Sequence, residues 1–260
     1  MKVVGATYAT AGFEPYARLL AASAARCGVS ELVVYRPLDL PADFRQAHRS
    51  ILAERRGAGY WTWKAWVISE QLARLDEGDV VLWMDAAAHF IGPVQRITDF
   101  MDHHGLDVWL MGEGFRESQY TKRDAFVLLD IDRPDVAVSP QRFASCFGVR
   151  CNAAGRALAA DYLAACTDRR LITDDPNTCS LPNHADFIDH RHDQSILSLL
   201  TKRAGVPVIP AGLVADGLQP PSGQVINHTR RFVTPQAVLQ HLLAHGVLTF
   251  ADAHQQFGTS

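Results

Sequence analysis

The run Asp79-Val80-Val81-Leu82-Trp83-Met84, closed by Asp85, does most to limit what this chain can fold into. A short, almost wholly apolar run predicts a strand covered on both faces, as in a parallel sheet. Ahead of it, Thr62 to Leu75 sets Trp63, Trp66, Val67, Leu72 and Leu75 along one helical face. Gly57-Ala58-Gly59 precedes that helix and predicts a turn, because glycine tolerates positive φ. A carboxylate at the carboxyl end of a buried strand stands where open α/β sheets bind ligands. Asp85 suits that role, and it equally suits a cap on the following turn.

The flanking segments extend the same pattern. Lys2 to Thr7 predicts a strand, Glu14 to Cys27 an Ala-rich helix and Glu31 to Tyr35 a second strand. This β-α-β opening argues for an α/β fold with a right-handed crossover. No GxGxxG follows the first strand, so a dinucleotide fingerprint is absent. Thr7-Tyr8-Ala9-Thr10 stands there instead; Thr7 and Tyr8 suit hydrogen bonding and stacking on a base, while Tyr8 also suits the core. Pro41 to Arg56 predicts a helix ending in Arg55-Arg56. Pro93 to His104 predicts a helix with proline at its start, and Leu106 to Met111 a strand. Gly112 to Tyr120 and Pro134 to Gln141 read as loops, Ser145 to Cys151 as a strand and Ala153 to Cys166 as a helix.

Residues 167 to 191 lack periodicity and are rich in Asp, Asn, Pro and Thr, which marks a functional or mobile segment. They lead into Asp189-His190-Arg191-His192-Asp193-Gln194-Ser195 and a helix through Lys202. Asp193 also fits the first turn of that helix by charge alone. Val206 to Pro210 predicts a short strand. VINHTRR, Val225 to Arg231, sets His228 close to Arg230 and Arg231. A helix over Pro235 to His245 follows, and the tail after Phe250 is expected to be loose.

Composition excludes several classes. A length of 260 residues suits one domain with a substantial core, and a net charge of −3 gives no general nucleic-acid footprint. No early apolar run has the length of a signal peptide or a membrane span. Cys27, Cys146, Cys151, Cys166 and Cys179 are odd in number and show no CxxC. That argues against a disulfide framework or zinc knuckle, and for a reducing cytoplasm.

GYWTWKAW, GDVVLWMDAA, FRESQYTKRDAF and DHRHDQSILSLL, in this order, resemble bacterial glycosyltransferase-type proteins of the GT-A fold, linked to cell-surface polysaccharide synthesis. The likeness runs from about Val3 to Arg231. More distantly, the layout is similar to the glycogenin-like and lipopolysaccharide galactosyltransferase family. The resemblance implies one GT-A-like (Rossmann-like) domain with a mostly parallel central sheet flanked by helices. Residues 1–111 would form the nucleotide-sugar half and residues 112–260 an elaborated acceptor half. In that family the first strand ends in a nucleotide contact and a central strand in Asp-x-Asp. A later helix opens with Asp-Gln, and a histidine near the C-terminus completes a metal site. Those positions fall here on Thr7 and Tyr8, on Asp85, on Asp193 and Gln194, and on His228. Lys64 falls where related enzymes keep a basic residue for the nucleotide, and Arg230 joins it as a donor contact. Lys122, His190, Arg191 and His192 fall in the acceptor half as substrate candidates; the His-x-His pair also suits a structural role.

One departure bears on the metal. The motif runs Asp85-Ala86-Ala87, so the second aspartate is missing. A hard cation wants oxygen ligands. Asp85 with His228, and also His89, suits Mn2+ or Mg2+, while Lys64, Arg230 and Arg231 suit neutralisation without metal. The implied activity is transfer of a hexose from a nucleotide-diphosphate sugar, such as a UDP-sugar, to a glycan or lipid-linked sugar. The Asp-Gln pair points to retention of configuration. No nucleic-acid partner and no integral membrane segment are expected, and peripheral membrane association is compatible. A nucleotidyltransferase of related fold is the alternative enzyme, although no glycine-rich phosphate loop follows strand one. A catalytically silent nucleotide-sugar or glycan-binding module is the other alternative, which the eroded Asp-x-Asp allows.

Overall fold

The structure, a computed structural model, describes residues 1–207, 214–215, 223–228 and 234–257. Its strands are β1 (Val3–Tyr8), β2 (Glu31–Tyr35), β3 (Val80–Met84), β4 (His89–Phe90), β5 (Val108–Trp109), β6 (Gly112–Arg116), β7 (Pro140–Arg142), β8 (Cys146–Arg150), β9 (Val214–Ala215) and β10 (Ile226–Asn227). Five of these form the central sheet in the order β2-β1-β3-β8-β5. β1 runs parallel to β2 and β3, while β8 lies antiparallel to β3 and β5. The result is the mostly parallel α/β sheet that the sequence predicts.

β3 explains why its run is apolar throughout. Successive side chains alternate between two cores. Val81 and Trp83 join the layer of Trp63, Val67, Ile68, Leu72, Phe147 and Tyr162. Val80, Leu82 and Met84 join Leu20, Ile97 and Met101 on the other face. The helices Thr62–Arg74 and Ala153–Cys166 cover the first face, and Glu14–Arg26 and Gln95–His103 the second.

Strand directions also set the site. β1 and β3 are parallel, so Tyr8 and Asp85 arrive at one sheet edge. Met84 pairs with Cys146 on the reversed β8, which brings Ala144 and Ser145 to that edge. The Asp85 N–H donates to the Ser145 carbonyl at 2.8 Å.

Several local expectations are corrected. The helix expected over Pro41 to Arg56 is two short pieces, Ala42–Ala47 and Arg49–Leu52. The two loops expected before β8 each contain a helical turn, Glu117–Tyr120 and Pro134–Ala137. They also contain β6 and β7, which pair antiparallel. Glu117 anchors this region: it is fully buried and accepts from Ser198 Oγ and Thr121 Oγ1, each at 2.6 Å, and pairs with Lys202. The irregular segment after Cys166 is fixed by buried Asp124, whose carboxylate accepts the N–H groups of Thr178 and Cys179 at 2.8–2.9 Å. Up to Phe257 the chain after Phe250 is not loose but forms the helix Phe250–Phe257, and residues 258–260 lie outside the described residues. Asp252 accepts the Thr249 N–H at 2.8 Å and pairs with Arg26 on the Glu14–Arg26 helix.

The short strand expected at Val206 to Pro210 lies largely outside the described residues; Val206 and Pro207, which are described, are not in a strand. All five cysteines are free. Among the described residues, no helix is long and apolar enough to cross a membrane.

Candidate active site

The chain before the Thr62–Arg74 helix takes an unusual path. Gly57, Ala58, Gly59, Tyr60 and Trp61 all have positive φ, at 58°, 50°, 101°, 52° and 60°. They form one left-handed turn, closed by the Tyr60 N–H to the Arg56 carbonyl at 2.7 Å and the Trp61 N–H to the Gly57 carbonyl at 3.2 Å. L-residues resist this conformation by about 1–2 kcal/mol each. The two glycines carry the signal in the sequence; Ala58, Tyr60 and Trp61 give none. A Cβ on Gly57 would also lie 2.3 Å from the Trp61 indole, so Gly57 makes room for that ring.

This turn borders a cleft of about 770 Å³ at the carboxyl edge of β1 and β3. Tyr8 and Thr10 line it from β1, Asp85 from β3, and Ala144 and Ser145 from the approach to β8. Arg55, Arg56, Trp61, Trp63 and Lys64 come from the turn and its helix. Asp189, Arg191, His192, Asp193 and Gln194 come from the start of the Asp193–Arg203 helix, and His228 follows β10. The sequence candidates Tyr8, Lys64, Asp85, Arg191, His192, Asp193, Gln194 and His228 therefore meet in one place.

Lys64 joins two of these groups. Its Nζ lies 2.6 Å from Asp193 Oδ2 and 3.4 Å from Asp85 Oδ1, and it donates to the Ala144 carbonyl at 3.1 Å. Burial depresses the Lys64 pKa, but Asp193 and Asp85 outweigh it, so the ammonium is held above its ordinary value. Burial raises the Asp193 carboxyl against the pull of Lys64. Tyr162 also donates to Asp193 Oδ2, at 3.3 Å. Asp85 accepts from Trp83 Nε1 at 3.0 Å, yet its side chain is 31% exposed, against 6% for Asp193. Asp85 is thus the carboxylate of the cluster with an open side. Gln194 is fixed at both ends of its amide: Nε2 donates to Gln141 Oε1 at 2.8 Å and Oε1 accepts the Ala144 N–H at 3.4 Å.

Other candidates fall elsewhere. Thr7 is fully buried and does not line the cleft; on a strand its side chain points opposite to Tyr8. Tyr8 lines the cleft, but its ring stacks on Trp63 with centroids 3.9 Å apart, so a face a base would need is already covered. Burial and then Asp39 push its pKa up to about 12, which keeps it a phenol. His89 is fully buried on β4 and is not on the cleft wall, which removes it as a ligand there. His190 and Lys122 line a second cavity of about 280 Å³, whose wall shares Asp189 with the cleft. His190 Nε2 meets the Leu171 carbonyl at 2.8 Å and its Nδ1 accepts the Lys122 N–H at 3.2 Å. The Lys122 ammonium donates to the Asp175 carbonyl at 2.6 Å. Arg230 and Arg231 lie outside the described residues.

Arg55, Arg56 and Trp61 are cleft residues that the sequence did not assign. Their signal is the basic pair set directly before the paired glycines. Arg56 is engaged with Asp189 at 2.6 Å and Asp174 at 3.2 Å. The Arg191 guanidinium lies over Tyr120 and Phe115, 4.1 and 4.7 Å from their centroids.

The donor set bears on a cation. Asp85 and His228 share the cleft wall, but no group of three His, Cys, Asp or Glu able to hold a metal occurs among the described residues. Small hard cations at phosphate sites often take one or two carboxylates from the protein and the rest from phosphate and water. Two carboxylates around one ammonium leave the cluster with a surplus negative charge on its open side. The residues present therefore fit a cation shared with a phosphate ligand, and do not fit one enclosed by protein alone.

No family model matches the sequence, and no curated protein matches it. Solved structures do match. The bifunctional glycosyltransferase WbbM superposes with a TM-score of 0.50 at 11% identity, over 92% of this chain and 44% of that one. Mouse xyloside xylosyltransferase 1 gives 0.49 at 9% identity, over 90% and 98%. The galactosyltransferase LgtC, solved with donor and acceptor sugar analogues, gives 0.46 at 13% identity, over 96% of each chain. What the chain shares with such proteins at these identities is the fold, a GT-A-like glycosyltransferase fold.

Proposed function

We propose that this chain transfers a sugar, a hexose, from a nucleotide-diphosphate sugar to a hydroxyl of a glycan or lipid-linked sugar. The observation that carries the reading is the Asp85–Lys64–Asp193 cluster in a cleft at the carboxyl edge of a GT-A-like sheet. In this reading Asp85 faces the donor. With His228 it would hold Mn2+ or Mg2+, which supplies neutralisation of the diphosphate as it leaves. Arg55, Arg56 and Arg191 add fixed positive charge around the cleft, and Arg230 is assigned to the same task.

Asp193 and Gln194 flank the reacting sugar in this reading, but the Asp193 carboxylate is committed to Lys64 and Tyr162. Its part is to hold the Lys64 ammonium in place. Asp189 is likewise engaged by Arg56. The base that remains for the acceptor proton is the departing diphosphate oxygen. That requires attack on the face the diphosphate leaves, and so retention of configuration. Surface polysaccharide synthesis in the cytoplasm is the setting we assign, with a peripheral membrane approach for a lipid-linked acceptor.

A screen of UDP- and GDP-sugars followed by nucleoside diphosphate release tests the proposal. Slow release from at least one donor, with thermal stabilisation by the matching diphosphate, is the expected result. Stabilisation by triphosphates alone would favour nucleotidyl transfer, and no response to any nucleotide would favour a silent glycan-binding module.

A further inference from the structure

Trp61 lines the cleft and takes no part in the donor chemistry above. Its position is built at a cost. Three non-glycine residues, Ala58, Tyr60 and Trp61, are held in the left-handed region, and Gly57 is bare where the indole passes. Strain of this kind persists only where the surroundings enforce it, and it gathers at ligand sites. His192 packs against Trp61 here. Its ring stacks against the Trp61 indole with centroids 5.6 Å apart and planes 29° apart. His192 is itself held at φ 50°, and its Nδ1 donates to the Ile172 carbonyl at 2.8 Å.

The surroundings identify what the indole meets. Trp61 lies against the segment that leads into Asp193, where Asp189, Arg191 and His192 also line the cleft; Tyr8 and Asp85 come from the strand ends. Asp189, paired with Arg56, brings its carboxylate oxygens to this part of the cleft. They accept hydrogen bonds from neutral hydroxyls. An aromatic face, negative at its centre, attracts polarised C–H groups. The part of the indole that lines the cleft beside His192, edged by Asp189 and Arg191, matches a pyranose ring: C–H bonds on one face, hydroxyls at the rim.

We propose that Trp61 is the acceptor platform, on which a neutral pyranose stacks while its hydroxyls reach Asp189 and Arg191. The proposal rests on the glycosyl-transfer reading for the word acceptor, but not for the sugar.

The test uses the full chain and four probes: the methyl β-pyranosides of galactose, glucose, mannose and xylose. Saturation-transfer NMR should mark the ring C–H protons of at least one. Trp61→Leu, which keeps apolar bulk without the π face, should lower that signal at least about five-fold, and Trp61→Phe should keep it. The marked pyranoside should also change tryptophan emission in the wild type and not in Trp61→Phe. UDP or GDP affinity should change less than about two-fold in either variant. No saturation with any probe, equal saturation in Trp61→Leu, or an emission change that survives in Trp61→Phe would each overturn the platform. If Trp61→Leu does not fold, the emission comparison with Trp61→Phe decides alone. If the pyranoside results hold but no nucleoside diphosphate binds, the platform stands and the transfer reading falls.

Discussion

Lys64 Nζ lies 2.6 Å from Asp193 Oδ2, so a single buried ammonium ties the helix ahead of β3 to the helix that follows the irregular segment. The same ammonium is 3.4 Å from Asp85. Two carboxylates depend on one cation, and removing it leaves a charge with no partner in the core.

Lys64→Met should therefore destabilise the fold by about 3–5 kcal/mol, the usual cost of breaking a buried pair on one side. Adding Asp193→Leu to that variant should recover much of the loss, because no orphan carboxylate then remains in the interior. Urea unfolding measures both. A Lys64→Met midpoint equal to the wild type would mean the pair contributes nothing.

Asp193→Ala separates positioning from capping. A helix-start role alone costs about 1 kcal/mol of stability and leaves turnover intact. Loss of the group that holds Lys64 should instead lower the rate of nucleoside diphosphate release by about two orders of magnitude. Normal turnover would show that Lys64 is held well enough by Asp85 and the Ala144 carbonyl without Asp193.

Asp85→Asn bears on the cation. Activity should disappear with a chelator and return with Mn2+ in the wild type, and the variant should lose that response. Full wild-type activity in excess chelator would remove the metal and leave Asp85 to contact the donor sugar or ribose directly.

Acid should weaken the fold through its buried histidines. Burial, then His241, His245 and His228, drive the His89 pKa down to about 3. Burial also brings His192 and His241 down to about 4. In the unfolded chain these groups titrate near 6.5. Between about 6.5 and 4 the unfolded chain binds more protons than the fold. Their contribution is complete above about pH 6.5 and is lost as pH falls towards 4. Urea midpoints near pH 7.5 and pH 5 should differ, and His89→Phe should reduce the difference. Identical midpoints at the two pH values would contradict this account.

The parts of the site legible in the sequence are those fixed locally. β3 is buried on both faces and so is apolar at every position, and Asp85 at its end is conspicuous for that reason. The Thr62–Arg74 helix is readable by its spacing, although Trp66 and Leu75 at its margin are only partly buried. Long-range pairing left no local mark. Nothing near Lys64 announces Asp193, and nothing in GEGFR announces β6, whose partner β7 is three residues long. Thr7 and Tyr8 stand together in one motif, yet a strand sends neighbours to opposite faces. His89 shows the limit of composition: it stands close to Asp85 in the chain, while burial holds it neutral in the core.

Because β8 enters the sheet at the edge where β3 leaves it, the chain between β5 and β8 starts and finishes near the cleft without passing through the β1–β3 side. That span, with β6, β7 and their helical turns, behaves as a cartridge. Its ties to the rest include those of Glu117 to Ser198 and Lys202 and of Gln141 to Gln194, and the register of β1 against β3 involves none of its residues.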